Sequence, residues 1–229
     1  EEVINMLWDV IAARGFEKDV YFEMAAKDIR SLPKLEGTVH VNMALIIKFI
    51  ANYFFNPGEF PEIGKRDDTA DDDFLFRQGP TKGLGKIQFH DYNIAYNSVN
   101  SPNINIFKEQ IETFKNFLVD AAPDGEQAKN IDFLLAVGEL FTLVAYGQLI
   151  IEKYQMEKFD DDLLEQIFDF MVRDFSRYAL QLYSKADSTE KQREWCIKMI
   201  RKPEDAPERF NRFWNDSVYA LRDTYEMNP

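Results

Sequence analysis

The sequence predicts an all-α protein: amphipathic helices joined by short turns and packed antiparallel in an up-down bundle, with one long irregular loop and an additional helical region after it. Three observations predict this. Apolar side chains recur three and four residues apart over most of the 229 positions. Residues that cap or break helices stand where those patterns stop. A hydrophobic content of 45%, with 14% aromatic residues, is enough to bury a sizeable core.

Val3, Met6, Leu7, Val10 and Ile11 make the first helical stripe, and Gly15 is expected to close it in the left-handed conformation that glycine tolerates. A second short helix spans Val20 to Ile29 and stops at Ser31-Leu32-Pro33, because proline disfavours helical geometry in the residue before it. A third runs from about Thr38 to Phe55 and ends before Pro57-Gly58. Residues 56–101 are punctuated by Pro57, Pro61, Gly79, Pro80 and Gly83 around an acidic run from Asp67 to Asp73, so no long helix is expected there. A short strand pair is expected around Lys86 to Tyr92. The segment divides residues 1–55 from a second helical part, 102–229.

In that second part Ile106, Phe107, Ile111, Phe114, Phe117 and Leu118 share one apolar face, closed by Pro123-Asp124-Gly125. A long helix from about Glu126 to Lys158 follows. The next, lined by Leu163, Ile167, Met171, Phe175 and Leu182, opens with the acids Asp160 to Asp162, which suit a helix amino terminus. Asp187 and Glu190 have the spacing of a capping box for a helix carrying Trp195, Ile197 and Met199. The last helix is expected from about Pro207 to Met227. Short turns between amphipathic helices indicate antiparallel packing.

The net charge of −13 and pI of about 4.7 argue against nucleic acid and anionic membrane surfaces as partners. Phe133 to Ile151 is apolar enough to raise the question of a membrane span, but Glu139 near its middle favours a buried helix of a soluble bundle. One cysteine, Cys196, and no secretory signal fit a cytoplasmic, reducing compartment. A helical pattern already running at Val3, behind Glu1 in place of Met, is expected of a piece of a longer polypeptide.

Most kinds of site are short of raw material. His40, His90 and Cys196 are too few for a soft-ligand metal centre, and the aspartate run lacks the ordered spacing and central glycine of a calcium loop. In Gly79-Pro80-Thr81-Lys82-Gly83-Leu84-Gly85-Lys86 the glycines are wrongly spaced for a phosphate loop, and Ile87 stands where a hydroxyl residue would reach magnesium.

One segment remains. Gly15-Phe16, Lys27-Asp28 and Leu35-Glu36-Gly37-Thr38 together resemble the acyl-CoA dehydrogenase family, whose members carry a Gly-Phe or Gly-Tyr pair, an Arg-Asp-Ala step and a Glu-Gly-Thr turn opening a helix. The interval from Gly15 to Glu36 matches the family's without a gap, and the likeness covers about residues 5 to 55. It implies that residues 1–55 end the family's carboxy-terminal helical domain, that 56–101 is a long loop and that 102–229 is a helical extension serving protein contacts. It implies Glu36 as the catalytic base of α,β-dehydrogenation of acyl-CoA thioesters, with FAD as hydride acceptor and an electron-transfer partner beyond it. Thr38 and His40 would lie against the flavin nucleotide. Gly37 would let the acyl chain pass close to the backbone. Ala12 and Ala13 stand where the family has a glycine pair approaching the flavin of a partner subunit, which implies a homo-oligomer. Val39 to Met43 replace the family's polar residues and arginine, and Lys27-Asp28-Ile29 is a looser form of Arg-Asp-Ala. The family's amino-terminal and middle domains have no room in 229 residues, so the chain alone is expected to lack stable cofactor binding and turnover. The competing expectation is a non-catalytic helical interaction or oligomerisation module in which Glu36 serves only the helix dipole.

Overall fold

The computed structural model describes residues 2–35, 37–59, 83, 87–222 and 224, and among these it is all helix and turn, with no strand. The helices are α1 (Glu2–Ile11), α2 (Tyr21–Leu35), α3 (Val39–Ile46), α4 (Ile50–Phe55), α5 (Tyr92–Asn97), α6 (Pro102–Asp120), α7 (Ile131–Glu157), α8 (Asp161–Tyr183), α9 (Glu190–Met199) and α10 (Pro207–Phe213).

Helices α5, α7, α8 and α9 start on a side chain (Asp91, Asn130, Asp160 and Thr189) that satisfies amides the helix cannot. Asn130 Oδ1 accepts from Asp132 and Phe133 N, and Asp160 Oδ1 accepts from Leu163 N at 2.9 Å. Pro102 opens α6, where its missing N–H costs nothing. Lys158, in the left-handed conformation at φ 50°, turns the chain from α7 into the Asp160 cap.

The core runs from Ile50 to Met199. Phe107, Phe114 and Phe117 of α6, Phe133, Leu140 and Val144 of α7, and Phe168 and Phe175 of α8 are fully buried. Tyr53 and Phe54 of α4 and Tyr92 of α5 complete an aromatic cluster with Phe141, ring centroids 5.1 to 5.7 Å apart. Buried polar groups are bonded across helices. Gln110 Nε2 donates to the carbonyls of Val172 (3.1 Å) and Met199 (2.9 Å), tying α6 to α8 and α9. The Gln127 and Gln192 amides pair reciprocally at 2.9 Å, anchoring the turn before α7 to α9.

Helix α7 is long and apolar enough by length and composition to cross a membrane. It packs against α3, α5 and α8, with Glu139 facing the α8 side.

Helices α1 and α2 stand apart from this core. They pack mainly on each other: Trp8 lies against Phe16 and Phe22, the Arg30 guanidinium sits 4.8 Å above the indole, and Arg30 Nη2 donates to Asn5 at 2.7 Å. An ion pair between Arg177 of α8 and Glu2, at 3.0 Å, ties α1 to the larger part.

Several local expectations are corrected. The left-handed residue after α1 is Ala12 (φ 51°), not Gly15. Gly15 is buried under Trp8, whose indole nitrogen a Cβ would strike, so it serves close approach. Helix α2 continues through Pro33 to Leu35. Proline there removes the bond to Ile29 O, and side chains add bonds to the carbonyls on either side of it: Ser31 Oγ donates to Asp28 O and Lys34 Nζ to Arg30 O. The expected single helix from Thr38 to Phe55 is interrupted by a 3-10 turn, Ile47–Phe49. The strand pair near 86–92 is not formed by residues 87–91, and Tyr92 starts α5; Lys86 lies outside the described residues.

The long helix begins at Ile131 after a 3-10 turn, Gln127–Lys129. The capping box is Thr189 and Gln192, not Asp187 and Glu190; the Asp187 carboxylate instead accepts from the Asn130 amide. The last helix leaves α geometry after Phe213 through a π turn, Trp214–Val218.

Candidate functional site: the turn between α2 and α3

Helix α2 ends at Leu35 and α3 begins at Val39. Glu36, the expected base, lies outside the described residues. Its neighbours are described. Gly37 has φ 114°, a backbone that side chains with a Cβ rarely adopt, while the nearest atoms to a Cβ there would be Asn42 Oδ1 and Val41 Cγ1 at 3.5 and 3.6 Å. Conformation, and not lack of room, therefore demands glycine. Thr38 is the amino-terminal cap of α3: its hydroxyl accepts from Val41 N at 3.4 Å and its carbonyl from Asn42 N at 3.0 Å.

His40, exposed in the first turn of α3, lines a cleft of about 550 Å³ with Val39, Leu135, Glu139, Gln181 and Lys185. The cleft is thus bounded by the start of α3, the first half of α7 and the end of α8. Lys185 is held at its rim by Asp132 at 2.6 Å. Glu139 is half-buried, and that burial raises its carboxyl above the usual range, against the lowering influence of the Tyr178 hydroxyl and the Arg177 guanidinium. The sequence argument used Glu139 only to weigh a membrane span. The signal for a cleft was its spacing from Asp132 and Leu135, seven and four residues along one face of a helix.

Ala12 and Ala13 are exposed, and Ala12 lines a different hollow, bounded by Trp8, Asp9, Phe16 and Arg30. Ala12 is not drawn into the cleft that holds His40.

The donor set can be tested against FAD. A threonine hydroxyl, an imidazole and the opening amides of a helix suit phosphate and ribose oxygens. Thr38 and His40 offer these at exposed positions, with Val39 and Val41 exposed beside them. They fit one wall of a nucleotide site, whose other walls would come from outside the described residues.

Other chemistry is sparse. Burial pushes the Cys196 thiol up to about 12, so it is no nucleophile near neutral pH. Among the described residues no three His, Cys, Asp or Glu side chains are grouped to hold a metal ion. A second cleft, about 410 Å³, lies between α8 and α10 beside Asp169 and Arg209. Arg209 there pairs with Glu165 at 3.3 Å and Glu204 at 3.0 Å.

Neither a family model nor a curated protein nor a solved structure matches this chain.

Proposed function

We propose that this chain is the carboxy-terminal helical part of a flavin-dependent acyl-CoA dehydrogenase, an antiparallel up-down bundle with a helical extension, in which Glu36 is the catalytic base. The observation that supports it is the break between α2 and α3. The helix ends at Leu35, Gly37 takes a left-handed turn and Thr38 caps the next helix, the Glu-Gly-Thr arrangement of the resemblance. A carboxylate on such a turn is carried between two helices, a rigid mounting for a base.

In this reading the Glu36 carboxylate takes the proton from the carbon beside the thioester carbonyl of an acyl-CoA. FAD, when bound, supplies the acceptor for the hydride leaving the neighbouring carbon, and an electron-transfer partner reoxidises it. Thr38 and His40 hold the nucleotide from one side. Gly37, lacking a side chain, leaves the acyl chain room beside the backbone. The isolated chain is inactive, because the remaining walls of the site are absent from it. Its net charge of −13 disfavours nucleic acid and anionic membrane surfaces, and its single cysteine, Cys196, fits the reducing cytoplasm.

The test is made in the intact enzyme. Glu36→Gln is expected to abolish bleaching of the flavin by acyl-CoA while leaving the protein yellow; undiminished bleaching would remove Glu36 from the role.

A second reading, a non-catalytic helical interaction module, is favoured by one observation: α1 and α2 expose apolar side chains on the faces they do not share. A parent protein that purifies without colour and still assembles through its helices would decide for it.

A further inference from the structure

We infer that the cleft between α8 and α10 is a binding site for a free α-amino acid with an apolar side chain. It shares no lining residue with the cleft that holds His40. Its volume of about 410 Å³ falls within the roughly 300–1,000 Å³ of small-molecule sites. One wall is the connection from Lys202 to Ala206, which is neither helix nor turn yet is pinned to the bundle. Arg201 N donates to Ser176 Oγ at 2.9 Å and Glu204 N to Asn103 Oδ1 at 2.8 Å. A wall fixed in this way loses little freedom when the cleft is filled.

The lining carries both signs of charge. Asp169, 5% exposed, is matched by Arg173 at 2.8 Å, and Glu204 by Arg209 at 3.0 Å. Lys202 and Asp205 remain, both exposed and without an ion-pair partner among the described residues. Arg209, 9% exposed, adds a donor: its Nη1 serves Glu165 and Glu204, while its Nε finds no acceptor among the described residues. A buried N–H is rarely left so. A carboxylate entering the cleft answers Lys202 and the Arg209 Nε–H, and an ammonium beside it answers Asp205. An anion without the ammonium would face Asp169, Glu204 and Asp205, with Glu165 behind Arg209; a cation without the carboxylate would leave Lys202 and the Arg209 donor unanswered. The rest of the ligand meets aromatic rings: Phe170 of α8 and Phe210 of α10 line the cleft and are exposed in it.

Calorimetric titration of the 229-residue chain with L-phenylalanine tests this. Binding is expected with a Kd of at most about 1 mM. 3-Phenylpropionate, which lacks the ammonium, phenethylamine, which lacks the carboxylate, and glycine, which lacks the ring, are expected to bind at least about tenfold more weakly. Lys202→Ala and Asp205→Asn, both at exposed positions, are expected to weaken L-phenylalanine at least about tenfold with unchanged circular dichroism, and Lys202→Ala to remove its preference over phenethylamine. Lys153→Ala, on the exposed side of α7, is expected to bind as the wild type does. Absence of binding at about 10 mM L-phenylalanine would overturn the proposal. Equal binding of the one-charge analogues, binding untouched by both cleft variants, or loss of binding in Lys153→Ala would overturn it as well.

Discussion

Gly147 of α7 lies against the Tyr96 hydroxyl of α5, and Gly147→Ala probes how tightly the aromatic core is set. A Cβ at this position would stand within van der Waals contact of the Tyr96 hydroxyl oxygen, 3.0 Å from Met171 Cε and 3.3 Å from Phe107 Cε1. The methionine end can swing aside. Tyr96 cannot: its ring is 1% exposed, packed against Tyr92 and Phe107, and its hydroxyl donates to Val144 O at 2.7 Å. Replacing a mid-helix glycine by alanine contributes about 1 kcal/mol in helix propensity. Displacing the hydroxyl costs about 1–3 kcal/mol for a buried group left without its partner, and strain in a full core adds about 1–3 kcal/mol. The balance is a loss of about 2–4 kcal/mol in urea denaturation followed by circular dichroism. Tyr96→Phe alone costs about 1 kcal/mol. In the Tyr96→Phe background the clash is gone, so Gly147→Ala should be nearly neutral, and the two changes should couple by at least about 1 kcal/mol. A neutral Gly147→Ala in the wild type, or an equal loss in both backgrounds, would refute the packing argument.

Three further outcomes are expected. Ala12→Gly should leave stability unchanged or raise it by up to about 1 kcal/mol, because Ala12 has φ 51°, whereas Ala13→Gly, at a negative φ, should cost about 0.5–1 kcal/mol; equal effects in thermal unfolding would contradict the assigned backbone. For Glu139, burial raises the folded carboxyl above its ordinary value, so its contribution to stability is complete at low pH and is lost as pH rises through the raised value. Glu139→Gln should therefore raise the melting temperature at pH 8 and make little difference at pH 4; the opposite trend would mean that Tyr178 and Arg177 outweigh burial. Arg209→Met leaves Glu165 buried without its counter-charge and should cost about 3–5 kcal/mol, most of it recovered in Arg209→Met/Glu165→Leu; a double variant as unstable as the single would show that the unpaired Glu165 charge is not the source of the loss.

The helices were legible where period and punctuation agreed. Pro102 and the acids at 160 to 162 located α6 and α8, because a proline suits the first helical position and Asp160 accepts from Leu163 N, three residues on. Legibility failed where a tertiary contact chose between local options. Thr189 and Gln192, not Asp187 and Glu190, form the capping box because Gln192 also reaches Ala121 O and Gln127, bonds to another part of the chain. Gly15 resembled a helix stop, yet its role is to admit Trp8, which only the fold reveals. At the candidate site the sequence located a turn opening a helix, but not the positive φ of Gly37 or the capping bond of Thr38. It did not locate Glu139 or Lys185, which meet His40 only because α3 packs along α7 beside the end of α8.

The same contrast bears on how the chain works. The core from Ile50 to Met199 closes on itself: its largest side chains are fully buried, and Gln110, Gln127 and Gln192 each find partners across helices. Helices α1 and α2 are tied to it by the Arg177–Glu2 ion pair, and a surface ion pair contributes at most about 1 kcal/mol. The orientation of α1 and α2 is therefore set less by the core than by whatever covers their apolar faces, a second copy or a further domain. The turn at Gly37 and Thr38 lies at that junction, so a partner that covered those faces would also lie beside the turn. A base at position 36 would then be competent only in the assembled state, whereas a merely structural glutamate there would be indifferent to it. Comparing Glu36→Gln with wild type in the assembled and dissociated forms thus separates the catalytic reading from the structural one.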